Sequence, residues 1–193
     1  MRGHFLYKCM NRDTALELLK SYLKTDTLIK HSLATEAIMR ELADLLGRDV
    51  ELWGLAGLLH DLDFELTMNE PARHALRTAE ILEKHGIKSE IIQAIKAHNA
   101  EHLGIVRGSE LDFALACAET ITGLIVATAL VYPDKKLSSV KAGSILKRFK
   151  EKAFARNVDR EIITECKNLG LTLERFVEIS LKAMQGISGE LGL

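Results

Sequence analysis

Leucine, isoleucine and alanine recur at three- and four-residue intervals along almost the whole chain, the spacing of one buried face on an α-helix. Leu16, Leu19 and Leu23 share such a face behind Asp13, which suits a helix cap. Asp26 opens a second helix through Leu33, Ile38, Leu42 and Leu45, and Gly47 stops it. Asp49 caps a third that runs through Leu52, Leu55, Leu58 and Leu59 to His60. Pro71 suits the first turn of a fourth, ending at His85-Gly86. Ser89 caps a fifth reaching Asn99, and a long apolar sixth runs from about Leu111 to Val131. Ser138, Asp159 and Thr172 can each cap one more. No segment alternates at period two. The pattern predicts one all-α domain of about nine helices over residues 10–193, with residues 1–9 as an N-terminal extension.

Composition adds exclusions. Of 193 residues, 47% are apolar and 27% charged, enough to bury a sizeable core. Lys and Arg total 26 against 27 Asp and Glu, which argues against a dedicated nucleic-acid binder with a domain-wide basic field. The longest apolar run, Ile121 to Tyr132, is twelve residues. A bilayer span needs about 20, so no membrane helix and no membrane partner are expected. Residues 1–13 lack the apolar segment of a secretory signal. Cys9, Cys117 and Cys166 form no CxxC pair and leave one thiol over, so they read as reduced. The expectation is a soluble, cytoplasmic protein.

Chemistry is expected where ionisable residues interrupt an apolar pattern. Gly54-Leu55-Ala56-Gly57-Leu58-Leu59-His60-Asp61 describes a helix buried nearly all round that ends in an adjacent imidazole and carboxylate. Burying both costs several kcal/mol unless they are paired or bind a metal. Adjacent helical residues point about 100° apart, so the two reach one ion only near a helix end. His31 begins the inward stripe of the second helix, His74 the fourth, and His98 closes the fifth. Glu119 interrupts the apolar sixth, where a lone carboxylate is costly unless it faces a cation. Helical bundles build metal sites this way, from one inward side chain on each of several helices.

The order His31, His60-Asp61, His74, His98 and a late acidic residue, with its Ala-Gly-Leu-Leu lead-in, resembles the HD-domain superfamily of metal-dependent phosphohydrolases over residues 26–131. From Met10 onward the chain also resembles small stand-alone HD-domain proteins, including at Tyr132-Pro133 and at Lys147-Arg148-Phe149-Lys150-Glu151-Lys152. The resemblance implies an HD-like helical bundle in which His31, His60 and Asp61 hold a first divalent metal. It implies that His74 and His98 hold a second, with Asp61 bridging. Glu119 stands where the family expects an Asp as fourth ligand, a departure that bears on metal choice. Imidazole with carboxylate suits a transition metal, Mn or Fe by preference, with Zn, Ni or Co possible, as one or two ions. The implied activity is hydrolysis of a small phosphorylated metabolite or nucleotide by a metal-activated water. A metal- or nucleotide-binding regulatory module without turnover is the alternative.

Around the ligands, Asp61 and Asp63 are the candidate catalytic residues. Asp63 and Glu65 suit a supporting role or a proton carrier, against an exposed acidic loop. Arg73, Lys96 and Asn99 are candidate substrate contacts. His98-Asn99-Ala100-Glu101-His102 spells the inverted zinc-peptidase motif, but Gly104 and Gly108 argue against the continuous helix it needs, and His102 reads as a bystander, as do His4 and His85. From Lys135 to Arg156 there are eight basic residues opposed only by Glu151, read as a solvated amphipathic helix with Ile145, Leu146 and Phe149 inward. The sharper reading of that run is an anion-steering rim.

Overall fold

Helices form where the apolar spacing puts them. In the computed structural model, which describes residues 10–193, α1 spans Arg12–Tyr22, α2 Asp26–Leu46, α3 Val50–Leu59, α4 Phe64–Thr67, α5 Leu76–Lys84 and α6 Ser89–His98. Then come α7 at Ala100–Leu103, α8 at Glu110–Leu130, α9 at Ala142–Lys150, α10 at Arg160–Thr164, α11 at Leu173–Gly186 and α12 at Ser188–Leu191. Two 3₁₀ turns, Leu137–Ser139 and Glu165–Leu169, complete the described residues, which hold no strand. The nine expected helices are all present, and α4, α7 and α12 are single turns between or after them. The proposed extension over residues 1–9, with His4 and Cys9, lies outside the described residues.

Several helix ends follow their expected chemistry. The Asp49 carboxylate accepts the N–H of Leu52 and the Thr172 hydroxyl that of Arg175. Asp159 caps α10, and Gly47 ends α2 at φ 65°. Four starts differ from expectation. Asn11 rather than Asp13 caps α1, accepting from the N–H of Thr14 at 2.9 Å. Ser89 is the first residue of α6 and caps nothing. Ser138 lies in a 3₁₀ turn, and α9 begins only at Ala142. Pro71 opens no helix: residues 71–75 form turns ending at Ala75, φ 68°, because the Asn99 amide takes up the Pro71 and His74 carbonyls.

The core is built around α3, whose residues from Leu52 to Leu59 are all buried between α1, α2, α6 and α8. Gly57 lets α2 come this close, since a Cβ there would lie 2.9 Å from the Glu36 backbone. By length and composition α8 could cross a membrane, where the twelve-residue run predicted no such helix; most of its apolar stretch is buried in the bundle. In α9, Ile145 is fully buried and Leu146 and Phe149 pack on the core, while Lys141, Lys147 and Lys150 are exposed. This is the amphipathic arrangement expected of the basic run. The packing brings the C-terminal ends of α3 and α6, the first half of α2, the 71–75 turns and the middle of α8 to one place.

Candidate metal centre

Four imidazoles converge on the Asp61 carboxylate, and each is oriented through its far nitrogen. His60 and His98 stand at the C-terminal ends of α3 and α6, where helix carbonyls lack partners. Their Nδ1–H groups donate to Gly57 O at 2.8 Å and Ile95 O at 2.5 Å. His74 Nδ1 donates to Asp63 Oδ1 at 2.7 Å. The Thr122 hydroxyl donates to Glu119 O at 2.7 Å and so accepts from His31 Nδ1 at 2.9 Å. All four Nε2 atoms are thereby turned inward.

Inside, the ligand atoms fall into two groups sharing Asp61. His31 Nε2 and His60 Nε2 lie 3.6 and 3.5 Å from Asp61 Oδ2, and 3.2 Å from each other. His74 Nε2 and His98 Nε2 lie 3.2 and 3.5 Å from Asp61 Oδ1, and 3.0 Å from each other. With Nδ1 carrying the ring proton, each neutral imidazole presents a lone pair at Nε2. Two such lone pairs do not face each other at this distance unless a proton or a cation lies between them. Ligand nitrogens about 2.1 Å from an ion and roughly 90–100° apart would themselves stand about 3.0–3.2 Å apart. Each group of three can therefore hold a metal ion, and the donor set suits one.

Electrostatics match this geometry. Burial holds His60 neutral, pulling its pKa down to about 3. Asp61, only 5% exposed, is kept well below the usual carboxylate range by the surrounding imidazoles despite its burial. Burial also pulls on His74, but the Asp61 and Asp63 carboxylates outweigh it and push the imidazole up to about 10. Without a cation, a proton on His74 thus balances Asp61. The cluster opens to solvent on the side of His31 and His74, whose side chains are 24% and 14% exposed.

The other sequence candidates separate. Glu119 lies on α8 within electrostatic reach of His98, His31 and Asp61, yet its carboxylate is outside both ligand groups. Thr120 donates to its Oε1 at 2.5 Å, and desolvation pushes the Glu119 carboxyl up. Asp63 is no exposed loop residue and no free proton carrier: it is fully buried, with Oδ1 on His74 and Oδ2 on the Thr78 N–H at 3.0 Å. Glu65 is half-buried, accepting from the N–H groups of Lys24 and Thr25. Asn99 is corrected from substrate contact to brace, its amide spent on Pro71 O and His74 O at 2.8 and 3.0 Å. Lys96 faces a surface groove with Glu83, Gly86 and Ser89 that includes none of the five ligands. Arg73 is exposed and pairs with Glu70. Glu101 binds Arg107, and His102 Nδ1 meets Asn99 Oδ1 where α6 has already ended, which removes the peptidase motif. Thr122 and Thr78 were not foreseen. Their signal was a hydroxyl inside an otherwise apolar helix face.

A model of the HD domain matches residues 28–130. Ribonuclease Y of Nitratidesulfovibrio vulgaris (strain DP4) is 35% identical over 77 residues, 40% of this chain and 15% of that protein. Ribonuclease Y of Desulfotalea psychrophila is 31% identical over 96 residues, 50% of this chain and 18% of that one. A tRNA (cytidine(56)-2'-O)-methyltransferase of Picrophilus torridus is 30% identical over 121 residues, 62% of this chain and 35% of the relative. The chain thus spans well under half the length of these relatives. No solved structure matches it.

Proposed function

The chain belongs to the HD-domain family, a superfamily of metal-dependent phosphohydrolases, and we propose that it hydrolyses phosphate esters of a small phosphorylated metabolite or nucleotide. The observation that carries this reading is the division of Asp61, with Oδ2 toward His31 and His60 and Oδ1 toward His74 and His98. Divalent ions there, Mn or Fe by preference, would polarise phosphoryl oxygens and lower the pKa of water. Asp61 supplies the negative charge common to both positions. Asp63 acts on His74 by fixing its ring, as Gly57 O and Ile95 O fix His60 and His98, and such partners matter to affinity. Arg73, next to His74, remains the candidate phosphate contact from the sequence reading. We assign the protein to the cytoplasm, a compartment where the free, buried thiols of Cys117 and Cys166 stay reduced.

The test is metal analysis of the purified protein, followed by a screen of phosphate monoesters and nucleotides with Mn²⁺, Fe²⁺ and Mg²⁺. One or two transition-metal ions per chain and metal-dependent release of phosphate are expected. A metal-free protein whose melting temperature ignores added Mn²⁺ and Fe²⁺ overturns the reading, since an ion that binds only the folded state must stabilise it.

A further inference from the structure

Beside the first ligand group, α2 and α8 diverge and leave a cleft of about 520 Å³ with His31 and Thr122 in its wall. Thr27, Lys30 and Ala34 line it from α2, one helical stripe with His31. Val126, Ala127 and Leu130 line it from α8, and Leu191 to Leu193 form its third side. Leu130 is 49% exposed, so the apolar wall runs out to the surface. Apart from His31, Lys30 is the one charged side chain among the described residues lining it.

From this juxtaposition we infer that the cleft takes the ester substituent of the substrate, and that the substrate is a phosphate monoester with a largely apolar, ring-sized leaving group. The inference rests on the proposed phosphohydrolase reading. His31 stands in the wall of this cleft with its Nε2 3.6 Å from Asp61 Oδ2, so a phosphoryl group held at the first ligand group has the cleft beside it for its ester substituent. The volume falls within the roughly 300–1,000 Å³ of ligand pockets that are lined mainly by apolar groups. A polynucleotide would need several cations along its backbone, and a single lysine, already paired with Asp26 at 2.8 Å, does not supply them. The substrate class therefore differs from what the name of the ribonuclease relatives says. In the reaction a water oxygen bonds to phosphorus, the bond from phosphorus to the ester oxygen breaks, and the alcohol leaves with one of the water's protons.

The experiment compares 2-(2-naphthyl)ethyl phosphate with ethyl phosphate, which share the same kind of bond and differ in apolar bulk. Wild type should favour the naphthyl ester at least about tenfold in kcat/KM, the discrimination that a few buried methylenes provide. Ala127→Trp, which fills the cleft, and Leu130→Asp, which charges its exposed lip, should each collapse that ratio while metal content stays at the wild-type value. Independently of turnover, 2-(2-naphthyl)ethanol alone should bind wild type by calorimetry and bind neither variant. Equal kcat/KM for the two esters, a ratio unmoved by both variants, or preferred cleavage of a single-stranded oligoribonucleotide overturns the inference. Failure to hydrolyse either ester counts against the phosphohydrolase reading, and the calorimetry then still decides on the cleft.

Discussion

Two buried polar clusters sit five residues apart on α2, and they solve the same problem in opposite ways. Glu36, 2% exposed, accepts from Arg12 Nε at 2.6 Å and Nη2 at 2.9 Å, and from Arg40 Nε at 2.9 Å. Arg40 in turn grips Glu51 through both terminal nitrogens, at 2.7 and 2.9 Å. Every charge in that cluster has its counter-charge from the chain. Around Asp61 the chain supplies four imidazoles whose Nδ1 donors all point away, that of His74 onto the Asp63 carboxylate, and no permanent cation. The burial cost of a carboxylate is the same in kind at both places. Only the first site offsets it with permanent cations, and the second is left to be completed by a proton or a metal. A closed network of this sort holds helices together; an open one binds.

The contrast is tested most severely by Asp61→Ala, which removes the carboxylate common to both ligand groups. Metal content should fall to less than one ion per chain and phosphate release to background, while the helical far-UV signal is retained. Retained stoichiometry would make Asp61 an ordinary buried acid. Glu36→Leu asks the converse. It strands Arg12 and leaves Arg40 with Glu51 alone, and breaking a buried pair in this way costs about 3 kcal/mol, the lower end because Arg12 is partly exposed and Arg40 keeps a partner. That is roughly 10 °C in melting temperature for a chain of this size. Metal stoichiometry should not change, and its loss in a folded Glu36→Leu protein would erase the distinction between the clusters.

The pH dependence separates them next. In metal-free protein the His74 pKa is raised to about 10 in the folded state, against about 6.5 unfolded. That stabilisation is complete below about pH 6.5 and is lost as the pH rises toward 10. The melting temperature of metal-free protein should therefore fall by several degrees between pH 7 and 9. Loaded protein, with the His74 nitrogen on a cation, should be flat over that range, so the gap between the two forms widens with pH. A gap that stays constant would mean that His74 keeps its proton when metal is bound. In the other cluster the carboxylates hold Arg12 and Arg40 above the usual arginine range and Arg40 holds Glu51 below the usual carboxylate range, so these groups produce neither result.

How much of this was legible in the sequence follows from the same physics. The helices were, because Leu, Ile and Ala mark a 3.6-residue period that few alternatives share. His60 and Asp61 were, because they end a helix that is apolar all round, and His31, His74 and His98 join them through the motif order that resembles HD-domain proteins. The Glu36 network was not: a glutamate four residues before Arg40 looks like a solvated helix pair, and only the docking of α1 and the close approach at Gly57 bury it. The 71–75 turns were missed because Pro71 is equally at home in a turn and in a first helical turn. The decision lies with the Asn99 side chain, 28 residues further on. The sequence leaves Asp63 between a supporting or proton-carrying role and an exposed loop because the residues after it are polar, whereas its partners His74 and Thr78 arrive from α5 and the turns before it.

The smallest effect is expected at Glu119, where sequence and structure pull apart. The sequence reading makes it the fourth ligand, so that Glu119→Gln, which keeps shape and removes charge, would cost the site a metal bond. In the structure the carboxylate stands outside both groups, satisfied in part by Thr120, while its backbone carbonyl receives the Thr122 hydroxyl that orients His31. Gln leaves that backbone carbonyl in place. What it removes is a nearby negative charge, and charges or partners around a metal's ligands are commonly worth about tenfold in affinity. Glu119→Gln should therefore keep full metal stoichiometry with Kd weakened by about tenfold, and Glu119→Asp should restore most of it. His102→Ala, which removes a side chain that meets Asn99 Oδ1 and none of the clustered imidazoles, should leave Kd within about twofold, as loss of a single part-buried hydrogen bond away from the cluster would. Titration of metal-free protein with Mn²⁺, read by competition with a chelator, ranks the three. Loss of one whole ion in Glu119→Gln would put Glu119 in the coordination shell after all and require its side chain to swing inward on metal binding. A Kd identical to wild type would mean that the cations do not sense the Glu119 charge.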